Sequence, residues 1–235
     1  MSVGIHAFGG YVPRLRLQRE VIAATNAWFS PGLKALGQGE RSIANWDEDA
    51  VTMAVEAARD ALGGTGRARV SESEDDGIQG VYLASTSMPF EDRQNAGIVA
   101  EALHLGHSLR TLDITGSQRA GTSALVAALQ AVAGGGGPIL VVGAEKRRTK
   151  AASPLELTSG DGAAALVVAQ GDGAARVLGH ATETVDFVDH YRGQNEAFDY
   201  VWEARWVRDE GYLKIVPTAV VRALEAAGVA PGSVS

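Results

Sequence analysis

The 235-residue sequence contains no cysteine. That absence excludes disulfides, a thiolate zinc site and a thiol nucleophile, and it leaves the redox compartment open. A metal centre would have to be built from histidine and carboxylates alone, and the pair His104 and His107 has no third ligand nearby, so no metal is expected. No apolar run approaches the roughly 18 residues of a spanning helix, and the N-terminus has no basic stretch followed by an apolar one. The sequence therefore reads as a cytoplasmic protein without a membrane segment. Positive charge is also short: 21 Lys and Arg against 28 Asp and Glu give a net charge of −7. A nucleic-acid partner is not expected, and an anionic ligand must find a local patch.

What is present is an ordinary globular composition, 46% hydrophobic and 21% charged, with 29 glycines interleaved among apolar runs. Val3 to Phe8 reads as a strand ending at Gly9-Gly10, followed by a helix around Leu17 to Trp28. A second helix is expected from Asp47, as cap, to Leu62. A charged, Ser-rich loop follows over Arg69 to Asp76, then a buried strand from Gly77 to Ser85. Helices over Arg93 to Leu105 and Gln118 to Ala133 alternate with strands over Leu109 to Ile114, Ile139 to Gly143 and Ala163 to Ala169. This alternation argues for a layered α/β sheet. Gly171-Asp172-Gly173 reads as a hairpin turn. The aromatics of Phe187 to Tyr212 are expected in helices, packing as core or interface or lining an acyl pocket. A long helix from Asp209 stops near Gly228.

Chemistry concentrates at one strand-to-helix junction. Leu112-Asp113-Ile114-Thr115-Gly116-Ser117-Gln118 has the layout of a nucleophile elbow, which aims a side chain into a site where orphan N–H groups and the helix dipole favour anions. Gln118 occupies the attacking position, and a carboxamide can donate and accept hydrogen bonds but cannot form an acyl-enzyme. Ser117 is a substitute nucleophile with no base visible in the sequence. The run Lys146-Arg147-Arg148-Thr149-Lys150 is the one dense basic patch, suited either to phosphates or to solvent. Arg14, Arg16, Arg19 and Arg192 are further candidates.

Together, Gly4–Pro13, Asn45–Asp49, Ala120-Gly121-Thr122, Ser159–Ala164 and Asp186–Arg192 resemble the thiolase superfamily. Within it the chain is similar to hydroxymethylglutaryl-CoA synthases of the archaeal and bacterial type, and more distantly to β-ketoacyl-ACP synthase III. The resemblance implies a layered α/β/α/β/α fold, with residues 1–185 as the first half and 186–235 as a cap segment and the first helix of a truncated second half. It implies a coenzyme A thioester as substrate or ligand. It also implies a homodimer, or a heteromer with a second thiolase-like or a zinc-ribbon/OB-fold subunit.

Three departures are read against that pattern. Gln118 stands at the nucleophilic cysteine, Thr86 stands where the synthase has its general-base glutamate, and the family's histidine would follow Ser235. Either another polypeptide completes the fold or the sequence is incomplete. Lys146, Arg147, Arg148, Lys150, Arg192 and Gly121 are the candidates for CoA contact, with an acidic partner or solvent as the alternatives for the basic run. Enolate chemistry at Gln118, with Thr86 and Ser117, and a noncatalytic CoA-binding or scaffold subunit are the two functional expectations.

Overall fold

Alternating small and apolar residues at the start of the chain form strand β1 (Val3–Tyr11), longer by three residues than the apolar run alone suggests. The computed structural model describes residues 2–63 and 77–234, so the loop expected over Arg69 to Asp76 lies outside the described residues. The helix expected from Leu17 starts later. Leu15 and Leu17 alternate with Arg16 and Gln18 in strand β2 (Leu15–Gln18), and only then does helix α1 (Arg19–Asn26) begin. The reason is pairing: β2 forms a four-residue antiparallel ladder with β3 (Glu40–Ile43), which draws these residues into a period of two.

Helix α2 (Ala50–Ala61) is capped by Asp49, not Asp47. Asp49 Oδ1 accepts from the Thr52 N–H at 2.8 Å and the Asp49 N–H donates to Thr52 Oγ1 at 2.7 Å, a reciprocal box that Asp47 has no partner to make. Strand β4 (Gly80–Ala84), helix α3 (Asn95–Ala102), strand β5 (Arg110–Ile114), helix α4 (Ala120–Ala133), strand β6 (Ile139–Glu145), helix α5 (Pro154–Thr158) and strand β7 (Gly162–Gln170) complete the alternation.

Gly171-Asp172-Gly173 is not a hairpin. The short strand β8 (Ala175–Arg176) pairs with β1, because β1 occupies the place beside β7 that a hairpin would need. The sheet is mixed, in the order β5-β4-β6-β7-β1-β8. β4 pairs in parallel with both β5 and β6, and β7 runs antiparallel to β6 and β1. Every residue of β4 is buried. Val81 and Leu83 join Leu140, Val142, Ala165 and Val167 under α2 and α3 in one core, while the alternate side chains of the same strands point to the face against which α4 packs.

The chain divides into a first unit, Met1–Arg176, and a second, Val177–Ser235. Within the second unit, the segment expected to be helical instead pairs β9 (His190–Tyr191) with β10 (Tyr200–Val201). Helix α6 (Ala204–Trp206) then continues through a π-helical turn at Val207–Tyr212 into α7 (Leu213–Ala227), which Gly228 ends at φ 65°. The helix starts before Asp209 because the Glu203 carboxylate accepts from the N–H groups of Arg205 at 3.1 Å and Trp206 at 3.0 Å. Its aromatics pack on one another, with Phe187 and Trp206 stacked at 4.5 Å. Among the described residues no helix is long and apolar enough to cross a membrane.

The contact of α2 with β1 depends on Gly9, where a Cβ would overlap the backbone of Ala57 and Ala61. Gly9→Ala is expected to lower stability by about 1–3 kcal/mol, read as a lower denaturant midpoint at unchanged m-value. Gly121→Ala is the control: its Cβ meets nothing within 4 Å on an exposed helical turn. It should leave stability unchanged or raise it by up to about 1 kcal/mol.

Candidate functional site

The register of the three parallel strands brings their carboxyl ends to one edge. Ala84 lies opposite both Ile114 of β5 and Gly143 of β6, and the Ser85 N–H donates to the Ile114 carbonyl at 3.1 Å. The segments that leave the sheet there are Ser85-Thr86-Ser87, Thr115 to Arg119, and Glu145 onward. In open α/β sheets this crevice is where ligands bind.

The elbow is present, with one correction. Gly116 turns at φ 81°, but Gln118 precedes the helix rather than opening it, because α4 begins at Ala120. The Ala120 N–H donates to the Ser117 carbonyl at 3.0 Å, Ser117 Oγ accepts from the Arg119 N–H at 3.3 Å, and Thr122 Oγ1 donates to the Arg119 carbonyl at 2.9 Å. Ser117, Gln118 and Gly121 are all exposed on this turn. The turn thus carries a carboxamide, a hydroxyl and the amino end of a 14-residue helix.

Strand β5 is fixed from the other side. The Asp113 carboxylate accepts from the Asn95 N–H at 2.7 Å, Asn95 Nδ2 at 2.9 Å and the Ala96 N–H at 2.7 Å. Asn95 is fully buried, and its amide also donates to the carbonyls of Phe90 and Arg93. One carboxylate and one amide thus join the elbow strand, the start of α3 and the loop after β4.

Thr86 does not stand alone where a carboxylate is missing. Glu145, the last residue of β6, reaches across to it: Oε1 accepts from the Thr86 N–H at 2.6 Å, and Oε2 accepts from Thr86 Oγ1 at 3.1 Å and Ser87 Oγ at 2.8 Å. The Lys146 N–H donates to Ser87 Oγ at 2.8 Å and closes the loop. Sequence reasoning missed Glu145. The available signal was an acidic residue ending the apolar run of Ile139 to Ala144, together with the hydroxyl run Ser85-Thr86-Ser87 ending a neighbouring strand.

The basic run divides. Lys146 Nζ donates to the carbonyls of Asn45, at 3.1 Å, and Glu48, so this ammonium is committed inside the fold. Arg148 and Lys150 are exposed, and Arg147 is half-buried. Arg16 pairs with Glu40 at 3.4 Å and Arg19 Nη1 donates to the Gln38 carbonyl at 3.4 Å, which assigns both to the β2–β3 corner. In the second unit, Arg192 pairs with the buried Asp199 carboxylate at 3.5 Å, and His190 Nδ1 lies 2.8 Å from Asp189 Oδ1.

The Asn45–Glu48 turn that receives Lys146 is itself fastened to β1, since Tyr11 Oη donates to Glu48 Oε1 while Oε2 accepts from the Asn45 N–H at 2.6 Å. That bond pushes the Tyr11 hydroxyl from 10.0 up to about 12, with burial adding to it. The same bond, then the Asn45 N–H, holds Glu48 below its ordinary 4.5.

No protein-family profile matches the chain. A hydroxymethylglutaryl-CoA synthase of Aeropyrum pernix is 33% identical over 240 residues, which cover 98% of this chain and 63% of the relative. The chain thus spans somewhat under two thirds of the length of that relative. A solved HMG-CoA synthase complexed with CoA superposes with a TM-score of 0.78 at 20% identity, over 99% of this chain and 58% of its own. The 3-oxoacyl-(acyl carrier protein) synthase III of Pseudomonas aeruginosa does so at 0.79 and 21% identity, over 97% and 72%.

The Tyr11–Glu48 bond makes stability depend on pH at both ends. Tyr11 binds its proton more tightly when folded, so its contribution is full below pH 10.0 and is lost as pH rises towards about 12. Glu48 is more acidic when folded, so its contribution is present above 4.5 and is lost as pH falls through the lowered value. Chemical denaturation of wild type and Tyr11→Phe across pH should show curves that differ most between these limits and converge beyond them. Parallel curves would rule the contact out.

Proposed function

Taking the chain as a thiolase-like, hydroxymethylglutaryl-CoA-synthase-like polypeptide, we propose that it binds an acyl-CoA with the thioester at the amino end of α4. There it acts on a C–C bond by enolate stabilisation, in a decarboxylation or a retro-aldol or retro-Claisen cleavage, without a covalent acyl-cysteine. The observation that carries this reading is the exposed turn Ser117-Gln118-Arg119 ahead of α4, at the shared carboxyl edge of three parallel strands.

An enolate needs donors aimed at its oxygen and no nucleophile, and a helix N-terminus with a carboxamide beside it provides them. Gln118 is the positioning donor, Thr86 and Ser117 line the edge, and Gly121 leaves the first turn of the helix open to close approach. The exposed cations Arg148 and Lys150, with Arg147, are the candidates for the CoA phosphates. Arg192 is a further candidate in the second unit. Lys146 serves by holding the Asn45–Glu48 turn.

A second reading is favoured by the missing thiol: a noncatalytic CoA-binding or scaffold subunit. It would work in a homodimer, or in a heteromer with a second thiolase-like or a zinc-ribbon/OB-fold protein. The two readings separate on turnover. Purified protein is incubated with acetyl-, malonyl- and β-hydroxyacyl-CoA. Gln118→Ala should lower turnover by about 10²-fold or more while CoA affinity is retained. CoA binding with no turnover in wild type rejects the enzyme and leaves the subunit.

Gln118→Cys is expected to acquire an acyl mass from an acyl-CoA, because the elbow then presents a thiolate-forming side chain to the thioester. Removing Arg148 and Lys150 together should weaken CoA binding by about tenfold or more at low salt, with the difference shrinking as ionic strength rises.

A further inference from the structure

The proposed reaction lacks a proton acceptor, since Thr86 has no carboxylate and the chain has no thiol. We infer that Glu145 is the acid–base group of this site, delivered from β6 across the end of β4 to the place beside Thr86. This inference rests on the C–C bond reading above.

The geometry supports it on three counts. The carboxylate is half-buried at the carboxyl edge of the parallel strands, and among the described residues it forms no ion pair with a cation. All three of its contacts are from donors, the Thr86 N–H and the hydroxyls of Thr86 and Ser87, and these occupy one acceptor position on Oε1 and two on Oε2. A carboxylate has about four such positions, so Oε1 keeps one to receive a proton. Finally, β4 separates β6 from the elbow strand, and the carboxylate already reaches the end of β4, one strand spacing of about 4.8 Å from where β5 leads into the turn before α4.

The step balances on these groups alone. In the retro-aldol direction Glu145 takes the proton of the β-hydroxyl, and the O–H electrons become the new carbonyl. The Cα–Cβ bond breaks, and its pair moves into the thioester enolate, whose oxygen faces Gln118 and the N–H groups at the start of α4. The protonated Glu145 then returns its proton to Cα, releasing an acyl-CoA and regenerating the carboxylate. No oxidant or water is consumed. With a simple acyl-CoA the same pair of groups removes and returns an α-proton.

The test is α-hydrogen exchange of acetyl-CoA in deuterated water, followed by NMR across pH, with CoA affinity and thermal midpoint measured on the same proteins. Glu145→Gln is expected to slow exchange by about 10²-fold or more, to retain CoA binding, and to lose the rise of rate with pH on the acid side that wild type shows. Glu145→Asp, which keeps a carboxylate on a shorter stem, should exchange at an intermediate rate and keep that rise. A Glu145→Gln protein that exchanges as fast as wild type overturns the assignment and leaves the enolate reading standing. Wild type that binds CoA and shows neither exchange nor cleavage overturns the enolate reading and this assignment with it. If Glu145→Gln does not fold, a Glu145→Asp protein with wild-type rate and pH profile also overturns the assignment.

Discussion

Everything at the candidate site depends on β4 being held in register by two parallel neighbours at once. Ala84 has Ile114 on one side and Gly143 on the other, and those two pairings fix which residues leave the sheet together. A one-residue slip of either neighbour would turn its inward side chains to the opposite face. A slip of β6 would move Leu140 and Val142 out of the core under α2 and α3, and a slip of β4 itself would do the same to Val81 and Leu83. Each buried Val or Leu side chain contributes about 1.5–3 kcal/mol, so register is set by burial rather than by the hydrogen bonds of the ladder. Site geometry is thus a by-product of core packing several residues upstream.

The polar ties at the edge refine what the core dictates. Asp113 and Asn95 join β5 to α3 and to the loop that follows β4, so the elbow strand cannot move without breaking buried hydrogen bonds to both. An unmade buried bond of this kind costs about 1–3 kcal/mol, more where a charge is involved. Glu145 makes the equivalent tie between β6 and β4. The elbow end and the carboxylate end are in this way both referenced to β4, one through Asn95 and one through Thr86.

The sequence displays the apolar runs of β1, β4, β6 and β7 and the helical repeat of α2 and α4, because those signals are local and periodic. It conceals whatever depends on a partner distant in the chain. Leu17 reads as a helix start, and only the pairing with β3 draws Leu15 and Leu17 into a strand. Gly171-Asp172-Gly173 has the composition of a hairpin, but β1 has taken the neighbouring place, a fact decided by residues at the other end of the unit. Asp47 reads as the cap, yet Thr52 makes its reciprocal bonds with Asp49. Glu145 is the same case in the site: its contacts with Thr86 and Ser87 span 59 and 58 residues, so no motif window contains both partners. The missing thiol was legible at once because it needed no partner.

The absence of a thiol limits the chemistry that this edge can support. A covalent acyl-cysteine route needs a thiol at the elbow, and the chain has none. An enolate route needs two different things: donors for a developing oxyanion, worth about 10²–10³ in rate for each one removed, and a proton acceptor worth about 10²–10⁴. In the proposed reaction the amino end of α4 and Gln118 offer the first, and Glu145 offers the second. These contributions multiply only if both act on one bound thioester, which requires β5 and β6 to stay one strand apart on either side of β4. The register that buries Val81 and Leu83 supplies that spacing, so the same constraint that stabilises the sheet sets the separation of donor and acceptor in the proposed reaction.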